Sequence, residues 1–143
     1  MTALHVVLGV AVVAVNLAAG ALGAWRWRRA ELSRAFWPLL RTGQALVAIE
    51  ALDGAVLLLL GEELPRLHLI YGLVPLGVAF IAEQLRLTSA QAVLDHRGVA
   101  SARELPEADR EAAALDILVR EMGVMAASAL VVAALGLRAG GVL

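Results

Sequence analysis

The chain has 143 residues, of which 61% are hydrophobic, 17% are charged and 4% are aromatic, and its formal net charge is −1. A mean hydropathy of +0.81 is too high for the surface of a soluble domain, and the near-neutral charge offers no basic surface for nucleic acid. The sequence has no cysteine and no lysine, which excludes disulfides, iron–sulfur clusters, thiol catalysis and a lysine Schiff base. The composition predicts a polytopic membrane protein.

Four stretches of the chain are long and apolar enough to cross a lipid bilayer as helices, which takes about 20 residues each. They cover about residues 3–24, 39–60, 67–87 and 116–137. The first stretch is followed by arginines instead of being preceded by them, so we interpret it as a retained helix and not as a cleaved signal peptide. The sequence therefore predicts an all-α fold, with residues 1–143 forming a single four-helix transmembrane bundle.

The arginines are distributed unevenly between the two sides of the predicted spans. Ten of them lie in the segments 25–41 and 86–120, whereas only Arg66 and Arg138 lie on the opposite side. By the positive-inside rule, both termini are then outside and the two arginine-bearing loops are cytoplasmic. We expect a multi-pass protein of a bacterial-type inner membrane.

The long loop between the third and fourth spans is predicted to be a cytoplasmic helical segment over residues 88–115. It opens with a separate short helix over 88–97, which Gly98 ends. From Pro106 the helical pattern continues without a break to Arg138. One helix is therefore expected to include both the last part of the loop and the fourth span.

Two histidines are expected at the same depth, near the outer ends of the first and third spans. His5 is followed four residues later by Gly9, and His68 is followed four residues later by Gly72. A spacing of four places each pair on one helix face, so each glycine leaves space beside an imidazole for a flat macrocycle. Facing imidazoles commonly ligate haem iron in helical bundles. The pattern favours His5 and His68 as ligands of a haem b, with two structural histidines at the interface as the alternative.

Further residues are predicted to surround this site or to lie away from it. Pro75 is expected to kink the third span and to open a pocket beside His68 and Tyr71. His96 lies in the polar loop and is expected to be a solvated surface residue.

The second span carries two acids, which are expensive within a bilayer. Glu50 lies near the bilayer centre, where a hydrogen bond from Asn16 of the first span would satisfy a protonated carboxyl and complete the cofactor pocket. Asp53 lies about one turn further out. The two carboxyl groups form either a proton path or cation site, or a pair of neutral acids that hold helices together.

Two further features predict contacts between helices. Arg41 and Glu83 lie at similar depth on neighbouring spans and are expected to form an ion pair. The fourth span carries pairs of small residues four apart, a pattern typical of close helix packing: Gly123 and Ala127, Ala129 and Ala133, Gly136 and Gly140. This helix either packs against another subunit, which would give a homo-oligomer, or closes the bundle.

Part of the chain resembles one half of haem A synthase and, more generally, small four-helix b-type membrane cytochromes. The matching positions are Gln44, Gly54 and Gly61 in and after the second span, Leu67-His68-Leu69 at the start of the third, and Leu4-His5-Val6 at the start of the first. The resemblance covers about residues 4–80. It implies that His5 and His68 are the two axial haem ligands.

The chain departs from that family in lacking its loop cysteines and in having about half its length. We therefore carry over the bis-histidine haem b and not the oxygen chemistry. The predicted function is electron transfer or haem handling near the outer face, with a quinone or a membrane redox complex as partner, and not hydrolase or transferase activity. The alternatives are a non-catalytic accessory or assembly subunit of a larger membrane complex, and a small proton-coupled carrier or channel that uses Glu50 and Asp53.

Overall fold

A computed structural model describes residues 3–63 and 65–141, which form four long helices joined by short connections. The helices are α1 (Ala3–Arg28), α2 (Phe36–Leu59), α3 (Arg66–His96) and α4 (Glu107–Ala139), with a short 3₁₀ helix, Ala102–Glu104, before α4. All four long helices have the length and hydropathy needed to cross a membrane. The predicted all-α fold, with four helices long and apolar enough to span a membrane, is therefore confirmed.

The four helices form a bundle in which some pairs of helices pack together far more extensively than others. The helix α1 packs along both α2 and α4, and α3 packs along α4, whereas α2 and α3 touch each other at few positions. The starts of α1 and α3 and the ends of α2 and α4 make up one end of the bundle, which we call the histidine end. The opposite end is called the arginine end.

The third helix is longer than the sequence predicts. The expectation of a separate short helix over residues 88–97 is wrong, because α3 continues through this segment without a break. Thr88 Oγ1 and Ser89 Oγ donate hydrogen bonds to the carbonyl oxygen of Leu85, at 3.0 and 2.8 Å. The two hydroxyls therefore bond to the preceding turn instead of capping a new helix. The chain leaves the helix where Gly98 adopts a φ of +71°, as predicted.

The fourth helix confirms the predicted continuous segment, since it begins at Glu107 directly after Pro106 and ends at Ala139. Its 33 residues correspond to about 50 Å at about 1.5 Å per residue. Trp27, in the last turn of α1, packs against Gly123. The part of α4 that precedes Gly123 therefore extends past α1, alongside the end of α3.

The densest packing lies toward the arginine end. Its buried core consists of Ala19, Phe36, Leu40, Ala82, Met122, Met125, Ala126 and Ala129. Gly23 of α1 allows this packing, because a Cβ atom there would lie 2.4 Å from Cε2 of Phe36 and 2.7 Å from Cβ of Ala126. The two neighbouring helices therefore approach α1 at van der Waals distance, as small residues permit in membrane bundles.

A partly buried polar network joins three helices beside this core. The predicted ion pair between Arg41 of α2 and Glu83 of α3 is present. Gln44 Nε2 donates to Glu83 Oε1 at 3.0 Å, and Arg86 donates to Glu83 Oε2 at 3.1 Å and to Glu121 Oε2 of α4 at 3.2 Å. Because α2 and α3 pack little elsewhere, the network is the main polar link between them.

Candidate functional site

His5 is held by an acid of the neighbouring helix. Its imidazole is buried, with 6% of the residue exposed, and Nδ1 lies 2.9 Å from Oδ2 of Asp53 in α2. The two residues meet because α1 starts at the end of the bundle at which α2 finishes. A ring N–H that donates to a carboxylate fixes both the tautomer and the orientation of the imidazole. The bond therefore directs the ligating lone pair to Nε2.

His68 is held in a similar way by a backbone carbonyl. Its Nδ1 lies 3.3 Å from the carbonyl oxygen of Ala139, the last residue of α4. The final carbonyl groups of a helix have no partner within the helix, so this oxygen can accept from a side chain. The second imidazole is thereby also directed through Nε2.

The two imidazoles lie close together at the histidine end of the bundle. The ring centroids of His5 and His68 are 5.7 Å apart, and the ring planes are inclined by 54°. The two helices that carry them, α1 and α3, both pack on α4. The structure thus brings together the two histidines that the sequence singles out.

The histidine pair lies in the wall of a cavity of about 850 Å³ at the histidine end. Six of the seven predicted cofactor residues line it: His5, Gly9, Glu50, His68, Tyr71 and Gly72. Most of the remaining wall is aliphatic, and Pro75 also contributes to it. Exposed side chains such as Val10 and Leu73 form part of the wall, so the cavity opens on the apolar surface of the bundle.

The two glycines that follow the histidines have different surroundings. A Cβ on Gly9 would lie 2.8 Å from Oε1 of Glu50, so the space beside Gly9 is taken by this carboxyl group. A Cβ on Gly72 would meet no described atom within 4 Å. Gly72 therefore has the open side that the sequence predicts, whereas Gly9 makes room for an acid of α2.

The seventh predicted residue, Asn16, lies outside the cavity lining. Its Nδ2 donates to the carbonyl oxygen of Val12 at 2.9 Å, and its amide packs where Gly43 leaves space. The expected hydrogen bond to Glu50 is therefore wrong: the buried amide is satisfied within its own helix. Among the described residues Glu50 has no hydrogen-bond partner, and its carboxyl group faces the cavity.

Three contributors to the site are not predicted as such by the sequence. Asp53 is expected to act together with Glu50 but instead bonds to His5. Gly54 lies beside the same ring, with His5 Cε1 3.6 Å from the position of a Cβ. The carbonyl of Ala139 carries no sequence signal at all. The contact between Asp53 and His5 could have been predicted, because the two residues lie at the same depth on antiparallel helices.

The small residues of α4 mostly serve the packing of this chain. Gly123 accommodates the indole of Trp27, and Gly136 accommodates Val13, each at less than 3.0 Å from the position of a Cβ. Ala129 and Ala133 are buried in the bundle. Of the two roles that the sequence leaves open, closing the bundle is the one these contacts support.

No family model matches this chain, and comparison with curated proteins and with solved structures finds no match either. The resemblance of residues 4–80 to haem A synthase therefore stays a prediction.

Proposed function

We propose that this protein is a small integral membrane protein that binds haem b through His5 and His68 and transfers electrons or handles haem. The observation that carries the proposal is the pair of imidazoles 5.7 Å apart in the wall of an apolar cavity. Each ring has its Nδ1 at an acceptor, Asp53 for one and the Ala139 carbonyl for the other. A metal-bound histidine almost always donates its other ring N–H to a carboxylate, a backbone carbonyl or water in this way.

The two histidine side chains match a haem iron in their number and in their spacing. Metal–nitrogen distances of about 2 Å place two opposed imidazole centroids roughly 6 Å apart, close to the observed 5.7 Å. Within residues 3–63 and 65–141, no group of three or more histidine or acidic side chains is arranged to hold a metal ion. The pair offers the two axial ligands that a haem takes from its protein. A cavity of about 850 Å³ is within the range of cofactor sites.

The residues of the chain would each have a defined task around a bound haem, whose iron supplies the one-electron chemistry. Asp53 would orient His5, and the Ala139 carbonyl would orient His68. Glu50 places a carboxyl group inside the cavity, where it can take up or release a proton as the charge of the site changes. A quinone or a membrane redox complex is the electron partner that we propose.

Optical spectra of the purified protein test the proposal directly. After expression with ample haem, the oxidised and dithionite-reduced spectra should show a low-spin b-type haem. The spectrum should be lost in His5→Ala and in His68→Ala but kept in His96→Ala, which removes an exposed histidine at the arginine end. A colourless wild-type protein, or a haem retained in both cavity variants, would disprove it.

We also propose the orientation that the arginines predict, with both termini outside and the loop between α3 and α4 in the cytoplasm of a bacterial-type inner membrane. The absence of cysteine makes this simple to test. Single cysteines at Glu63 and Ala100, two exposed loop positions at opposite ends, should react differently with an impermeant maleimide. Labelling in intact cells is expected for Glu63→Cys alone, and the reverse pattern would invert the topology.

A second candidate function is that of an accessory or assembly subunit of a larger membrane complex. It is favoured by the paired ends of α3 and α4, which extend past α1 and offer a helical surface outside the bundle. A colourless protein that co-purifies in fixed stoichiometry with a membrane complex would support this function over haem binding. Association of α4 with a second copy, through exposed positions such as Ala127, belongs to the same candidate.

A further inference from the structure

A second cavity, of about 580 Å³, lies at the arginine end of the bundle. Its walls come from three helices: Trp27 of α1, His96 and Arg97 at the end of α3, and Asp116 and Arg120 of α4. It is located where α1 has ended and α3 and α4 continue side by side. The cavity is remote from the histidine pair and takes no part in the proposed haem site.

The charges in this cavity are not balanced. Arg97 Nη2 donates to Oδ2 of Asp116 at 2.6 Å, so these two side chains neutralise each other. Arg120 forms neither an ion pair nor a hydrogen bond with any part of the chain that the structure describes, and the same is true of the His96 ring. The cavity therefore holds two arginines against one aspartate, with a histidine that becomes cationic when protonated.

The position of the cavity is that of a membrane interface. Trp27 lies in the last turn of α1, and its indole is packed on α4 because Gly123 has no side chain: a Cβ there would be 2.6 Å from Nε1. Tryptophan is enriched at the level of lipid headgroups. The apolar wall of the cavity includes Val93 and Val119, which suit the glycerol or upper acyl region of a lipid better than water.

We infer that this cavity binds a phosphate group, with Arg120 as its principal ligand and Arg97 and His96 beside it. A planar guanidinium presents parallel donors to two phosphate oxygens, which makes arginine the preferred phosphate ligand. Basic pockets between membrane helices bind anionic headgroups by this chemistry. The phosphate comes either from an anionic phospholipid or from a free phosphate, and competition between the two ligands distinguishes these sources.

The test compares two lipids with the same acyl chains, one with an anionic and one with a zwitterionic headgroup. Purified protein is mixed with dioleoyl-phosphatidylglycerol or with dioleoyl-phosphatidylcholine, and lipid-bound species are counted by native mass spectrometry. Arg120→Gln should lower the affinity for phosphatidylglycerol about tenfold, the effect of losing one charge-assisted partner. The affinity for phosphatidylcholine should not change.

Arg34→Gln is the matched control, since it removes the same charge from an exposed position at the same end but outside the cavity. If Arg120→Gln and Arg34→Gln lose the same affinity for phosphatidylglycerol, the effect comes from general surface charge, and the proposal is overturned. So would equal binding of the two lipids combined with no binding of inorganic phosphate.

The source of the phosphate follows from competition. If millimolar inorganic phosphate displaces phosphatidylglycerol from the wild type but not from Arg120→Gln, the site is one for a free phosphate. If phosphatidylglycerol stays bound in its presence, the site is one for a lipid headgroup. Arg120→Lys should keep part of the affinity, because it retains the charge and loses the paired donors. Full affinity in Arg120→Gln would contradict every form of the inference.

Discussion

Asp53 of α2 accepts a hydrogen bond from His5 of α1, with 2.9 Å between Oδ2 and Nδ1. This bond joins two helices at the histidine end and fixes one of the two imidazoles that face the cavity. A histidine near a helix end is often a solvated interfacial residue. The His5 ring is instead buried and hydrogen-bonded to a half-buried carboxylate, which orients it for binding. The pair therefore gives the proposed haem site its most direct test apart from the ligands themselves.

Asp53→Asn is expected to weaken haem binding without abolishing it. The amide can still accept from Nδ1, but the hydrogen bond is no longer one to a charged carboxylate. Loss of a carboxylate that orients a ligating histidine typically costs about 10–100-fold in metal affinity. Titration of the purified protein with haem, followed by its absorbance, measures the change. Asp116→Asn, which makes the same change at the arginine end of the bundle, should not alter the affinity for haem. An equal loss of haem affinity in the two variants would contradict this role of Asp53.

Gly72→Leu is expected to block the cavity while leaving the fold intact. A side chain at this position points into open space, with no described atom within 4 Å of its Cβ, and Gly72 lines the cavity. Haem content should therefore fall sharply at unchanged thermal stability. Gly77→Leu is the control, since Gly77 is on the same helix and equally open but outside the cavity. Full haem content in Gly72→Leu would show that the ligand does not occupy this side.

Gly23→Ala is expected to destabilise the bundle by about 1–3 kcal/mol, the usual cost of overpacking a core. The added methyl group would lie 2.4 Å from Phe36 and 2.7 Å from Ala126, and both neighbours are buried. Gly77→Ala makes the same chemical change where the space is free, and should stay within about 0.5 kcal/mol of the wild type. Thermal or denaturant unfolding in detergent, followed by circular dichroism, compares the two. Equal stabilities would mean that α1 does not pack this closely.

Glu83→Gln is expected to lower the free energy of unfolding by about 1–3 kcal/mol, because it leaves two arginines without their shared carboxylate. Arg41, Gln44 and Arg86 all donate to Glu83, and α2 and α3 have few other contacts. Glu111→Gln, at an exposed position of α4, should change the stability by less than about 0.5 kcal/mol. The same unfolding measurement applies. An unaffected Glu83→Gln would show that packing alone holds α2 against α3.

The sequence predicts the number of helices and the depth of their residues well, since both follow from where apolar runs begin and end. His5 and His68 share a level because alternate spans run in the same direction, and Arg41 meets Glu83 for a similar reason. Which way each helix faces is much harder to predict. All four helices are apolar on most sides, so no polar face indicates that Asn16 turns toward Gly43 or that Asp53 turns toward His5.

Hydrogen bonds to the backbone are a second feature that the sequence does not predict. The hydroxyls of Thr88 and Ser89 are good helix caps by residue type, yet inside α3 they bond to the preceding turn. The carbonyl of Ala139 contributes to the site through its position at a helix end and not through its side chain. Neither role depends on a residue pattern that can be read without the positions of neighbouring helices.

The cavity and the packed parts of the bundle are formed by different residues. The buried core at the arginine end and the ion-pair network around Glu83 contain none of the residues that line the cavity. Because the cavity opens on the apolar surface of the bundle, a haem bound as we propose would reach it sideways from the bilayer. Synthesis and insertion of the chain would then be uncoupled from the supply of haem.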